Sequence, residues 1–161
     1  MKAGTKATSS PVAAVVCGAL IAGMLDLLFA FWFFGAHGRT PTWILQSIGA
    51  GWLGQRAFDG GSLTAALGAV SHFAIMLVAA AIFYVACSRL RPVANHPIVA
   101  GLAFGAAMYV VMNFVVLPLS AFPFRPSYPW RSVLTLLAVH MLLVGVPIAL
   151  AARYLARRSW R

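Results

Sequence analysis

Residues 63–87 read LTAALGAVSHFAIMLVAAAIFYVAC, a run without Lys, Arg, Asp or Glu in which one histidine, His72, interrupts the apolar side chains. A bilayer's hydrocarbon core is about 30 Å thick and an α-helix rises about 1.5 Å per residue, so roughly 20 apolar residues cross it. Residues 12–34, 97–117 and 132–152 meet the same criterion, and they carry one strongly polar side chain each at depth: Asp26, Asn113 and His140. The pattern predicts an all-α, polytopic membrane protein, with four transmembrane helices bundled into a single membrane domain over residues 1–161. A composition 62% hydrophobic and 9% charged, with mean hydropathy +0.90, lies far from the balance of soluble domains.

A net charge of +10 does not point to nucleic acid, because the basic residues are scattered between apolar blocks and no soluble module could hold a phosphate-tracking surface. The charge reads as topology. Lys2, Lys6, Arg89, Arg91, Arg153, Arg157, Arg158 and Arg161 fall at the termini and the second connection, against Arg39, Arg56, Arg125 and Arg131 in the first and third. Eight against four predicts cytoplasmic termini, with the lipid bilayer as the surrounding partner. Trp32, Trp43, Trp52 and Trp130 then fall at the outer interface and Trp160 at the inner one, where amphipathic rings anchor helices. The first apolar run is about twice the length of a signal-peptide h-region and lacks a clear cleavage site, so it is expected to remain as a span. Ser10 is its expected N-cap, with Pro11 at the first helical position.

The connections differ in kind. Between the first two spans, Thr40 and Pro41 open a short apolar segment, 42–58, that reads as an interfacial or re-entrant helix. Gly49, Gly51 and Gly54 weaken it, and Asp59, Gly60 and Gly61 make the turn into the second span. The third connection alternates Pro118, Pro123, Pro126 and Pro129 with Phe122, Phe124, Tyr128 and Trp130, which predicts an end to helix and an extended aromatic loop. Such a loop could anchor the hairpin at the interface or cover the bundle's outer end.

Counted inward from the outer interface, Asp26, His72 and His140 lie roughly 12–14 Å deep and Asn113 about half as deep. Unpaired polar groups there are costly, so an inward-facing cluster of the four is expected. Three roles are open to it. An Asp beside imidazoles can pass protons or line a small-solute pathway. His72 and His140 could ligate haem axially, or join Asp26 in a two-His, one-carboxylate metal site, although no cofactor is expected from motifs. Interhelical hydrogen bonds alone could make the four residues structural, in a protein that serves assembly.

Gly101 and Gly105 form a Gly-x-x-x-Gly spacing, and Gly18 and Gly23 a small face, suited to close helix packing within the bundle or across a homo-oligomer. Residues 69–72 (Ala-Val-Ser-His) resemble 138–140 (Ala-Val-His), a short internal similarity. Cys17 and Cys87 read as small apolar side chains. No catalytic motif is visible, so no enzyme activity is assigned; Asp26 and Asp59 are the only acidic residues and stand at different depths.

The run from His72 through Tyr84, the glycine-rich third span opening at Gly101, the Pro118-Leu119 pair, and Pro129-Trp130 followed ten residues later by His140 resemble the YagU-type family of small bacterial inner-membrane proteins. The likeness covers the second half of the chain and, loosely, Ile21, Ala22 and Gly23; the first connection departs from it. The resemblance implies a bacterial inner-membrane location and a link to acid tolerance, with no specified activity or protein partner.

Overall fold

The computed structural model describes residues 10–124 and 129–155, and every element among them is helical. Lys2, Lys6, Arg125, Pro126, Tyr128, Arg157, Arg158, Trp160 and Arg161 lie outside the described residues. Four helices are long and apolar enough to cross a membrane: α1 (Pro11–Gly35), α3 (Gly61–Arg89), α5 (Pro97–Leu119) and α6 (Trp130–Leu155). Between them lie α2 (Pro41–Leu53), continued by a 3₁₀ turn at Gly54–Phe58, and a short α4 (Arg91–Asn95). The chain is a multi-pass membrane protein built as a four-helix bundle.

Local chemistry sets the helix starts. The Ser10 hydroxyl accepts from the Ala13 N–H at 3.3 Å, and Thr40 Oγ1 accepts from the Trp43 N–H at 3.2 Å, each ahead of a proline that has no N–H to satisfy. Gly54 and Gly61 take φ of +60° and +58°, which lets the chain leave α2 and turn into α3.

Two of the long helices loosen into a π turn, α5 at Met112–Val116 and α6 at His140–Gly145. A proline follows each, Pro118 and Pro147. A proline inside a helix lacks the N–H and drives its ring against the carbonyl four residues earlier; the wider π turn opens room for that ring. This corrects the expectation that Pro118 ends the helix, since α5 runs through it to Leu119. Beyond it, the Ala121 N–H donates to Gly51 O at 2.9 Å and Phe124 tilts against Phe58 at 5.6 Å, tying the third connection to α2.

Lipid tails are as apolar as leucine, so these helices are held by van der Waals fit between backbones. Two glycines of α5 and one of α6 bring those helices together backbone to backbone. A methyl group on Gly105 would fall on the His140 carbonyl oxygen and 2.5 Å from the Met141 Cα, and one on Gly145 would fall on the Gly101 carbonyl. Gly18 faces Ile148 and Ala151 of α6, and Gly23 faces the Phe73 ring of α3. At Gly68, α3 meets the Leu45 carbonyl and Gly49 of α2. The half of the bundle nearer the described chain ends is packed solid around Ala19, Met76, Phe83, Val144 and Ile148, with Cys87 in the same cluster. The half that carries α2 is not.

Candidate functional site

In that looser half, Asp26 of α1, His72 of α3 and His140 of α6 line one cavity of about 220 Å³. Ile44, Ser47 and Ile48 of α2 form part of its wall, and Met108 and Met112 of α5 another. Met76 and Val144, which belong to the packed core, close it on the opposite side. The cavity thus ends against the solid half of the bundle. Asn113 lies elsewhere, in an adjoining cavity of about 310 Å³ with Trp52, Ser71, Ser120 and Phe122. The two adjoin at Ser47, Ile48, Ile75 and Met112, which line both, and Asn113 does not line the space of the three titratable groups.

Each polar group is oriented by backbone. The buried His72 places Nε2 2.9 Å from Gly23 O, bridging α3 to α1, and His140 places Nδ1 2.9 Å from Leu136 O in its own helix. A carbonyl oxygen only accepts, so each of these nitrogens donates. In a neutral imidazole the other nitrogen is then a lone-pair acceptor, Nδ1 in His72 and Nε2 in His140. The Tyr109 ring meets His140 edge-on at 5.5 Å. The Ser47 hydroxyl donates to Ile44 O at 2.6 Å, and the Asn113 amide donates to Tyr109 O at 2.9 Å. Among the described residues no hydrogen bond or ion pair reaches the Asp26 carboxylate, and no Lys or Arg lines its cavity.

The four glycines proposed for packing, Gly18, Gly23, Gly101 and Gly105, all stand at interhelical approaches. Gly23 does more, because its carbonyl is the one that holds His72. Among the described residues no three of His, Cys, Asp and Glu are close enough to share a metal ion, so the two-His, one-carboxylate arrangement is not assembled here. His37 and His96 are exposed at helix ends, away from the cavity.

Sequence reasoning missed Ser47, Ile48, Met108 and Met112 as cavity walls, and it missed the π turns. The signal for the latter was present: Pro118 and Pro147 each stand a few residues beyond a polar residue in an apolar helix. His140 opens its π turn, which fixes the direction of its side chain relative to the helix beyond. A Pro147→Ala chain is expected to remain folded and monodisperse in detergent while its His140 resonances shift in NMR spectra, because the turn can relax to an α-helix and rotate His140 away. Unchanged His140 resonances would show that α5, not the proline, holds the turn.

No protein-family model, curated protein or solved structure matches this chain.

Proposed function

We propose that this protein is a bacterial inner-membrane protein of the YagU type, with cytoplasmic termini, whose Asp26–His72–His140 cavity is a proton-linked or small-solute site. One observation carries the reading: three titratable side chains from three helices converge on one cavity in an otherwise apolar bundle. Structural side chains satisfy one another, whereas among the described residues the Asp26 carboxylate on this wall has no hydrogen bond or ion pair. The eight-to-four distribution of basic residues supports access from the periplasmic side, since α2 and the cavity lie at the end with fewer. A titratable site open to the periplasm suits a role in acid-stress or membrane homeostasis.

A structural reading is favoured by one contact, the His72 bridge to Gly23, which joins two spans. His140 makes its bond within its own helix and so does not tie helices in that way. Haem ligation by His72 and His140 draws no support from the cavity, whose about 220 Å³ is below the roughly 300–1,000 Å³ of sites for drug-sized ligands.

Purified protein in liposomes containing a pH-sensitive dye tests the proposal. An acid pulse is expected to be dissipated faster than in empty liposomes, and Asp26→Asn is expected to remove that excess. Equal dissipation by the wild-type and variant chains would refute the proton pathway.

A further inference from the structure

We infer that the Asp26 cavity takes a small cation bearing N–H donors, an ammonium ion or a small primary amine, in competition with the proton. The inference rests on reading this cavity as a proton-linked solute site and names its solute class. It follows from the hydrogens. Every side-chain donor on the cavity wall is already engaged with a backbone carbonyl: His72 with Gly23, His140 with Leu136 and Ser47 with Ile44. The groups on this wall without a hydrogen to give are then acceptors: the Asp26 carboxylate, the second nitrogen of each imidazole in its neutral form and the Ser47 oxygen, with thioethers as weaker ones.

A carboxylate at this depth needs a positive partner, and the wall supplies none. A proton on Asp26 is one solution. A cation that donates several hydrogen bonds is the other, because it satisfies the imidazole nitrogens as well. Divalent hard cations take about six or more oxygen ligands, and this wall offers side-chain oxygen only from Asp26 and Ser47. The ring of Phe34, also on the wall, suits a cation or its alkyl group. The titratable groups that share the cavity with Asp26 are His72 from α3 and His140 from α6; α2 and α5 contribute Ile44, Ser47, Ile48, Met108 and Met112, none of them ionisable there.

Calorimetric titration of the detergent-purified full chain with methylammonium chloride tests this, beside tetramethylammonium chloride and sodium chloride. Tetramethylammonium has the same charge and no N–H. Saturable methylammonium binding is expected, one per chain, weaker in acid, and absent with the other two salts. Asp26→Asn should weaken it about tenfold or more, the loss of one charge-assisted hydrogen bond. Should that variant aggregate, the comparison of the two ammonium salts on the wild-type chain still decides. Equal binding of both salts, or no binding of methylammonium, overturns the inference. The acid-pulse assay without amine separates the two claims: proton flux without amine binding sinks only the solute class, and amine binding without flux sinks only the proton pathway.

Discussion

A Gly105→Val chain is expected to lose its folded bundle. The Cβ at this position would fall on the carbonyl oxygen of His140 and within 2.5 Å of the Met141 Cα. Both are backbone atoms of α6, so no rotamer change can relieve the overlap and the two helices must separate. The neighbouring contacts cannot yield independently, because Gly145 of α6 reaches back against Gly101 and Gly105 of α5. Overpacking a well-fitted side-chain core costs about 1–3 kcal/mol, and a backbone overlap should cost about 3 kcal/mol or more. Typical total stabilities are only about 5–15 kcal/mol, so the loss is a large share. Size-exclusion profiles and thermal unfolding in detergent would report it, with Ala103→Val as the control on an exposed, lipid-facing position of the same helix. The control should stay within about 0.5 kcal/mol of the parent chain. A Gly105→Val chain with parental Tm would mean that α5 and α6 do not cross at this distance.

The same crossing bears on the site. Gly105 touches the backbone of the very residue that opens the π turn, so the contact that joins α5 to α6 also fixes where the His140 imidazole starts. Fold and site are therefore coupled at one glycine, and Gly105 substitutions should not be read as probes of the cavity alone.

The spans were legible because length and apolarity suffice to define them, and the starts of α1 and α2 because Ser10-Pro11 and Thr40-Pro41 are local signals. A common level for Asp26, His72 and His140 along their helices was legible too, since counting needs no tertiary information, and one cavity takes all three. Rotation was not. These spans are apolar around most of their circumference, so no amphipathic stripe told which face Asp26, His72 or His140 presents. Their convergence on one cavity, and the separation of Asn113 from it, are set by the packing of α1, α3 and α6. The role of α2 was hidden for a related reason. Gly49 weakens a helix by propensity, yet its lack of a side chain lets α2 cross α3 at Gly68 and bring Ile44, Ser47 and Ile48 to the cavity wall. Propensity is a single-residue quantity, and close crossing is a property of two helices.

Substituting the two histidines with glutamine should separate a structural role from a proton-transfer role. Glutamine is near in size, keeps an amide donor and an acceptor, and does not titrate near neutrality. His140→Gln is expected to abolish proton flux in liposomes while changing thermal stability little, because the bond it alters stays within α6. His72→Gln is expected to abolish flux as well, and also to lower stability by about 0.6–2 kcal/mol, since its bond to Gly23 joins α3 to α1. Interhelical glue makes the opposite forecast: stability falls for His72→Gln, and flux, being a property of the bilayer or of another path, is unchanged in both. The decisive measurement is therefore His140→Gln flux on protein whose unfolding curve overlays the wild type. A stable, inactive His140→Gln chain cannot be explained by packing, because an overlaid unfolding curve shows that losing the Tyr109 ring contact has not loosened the bundle.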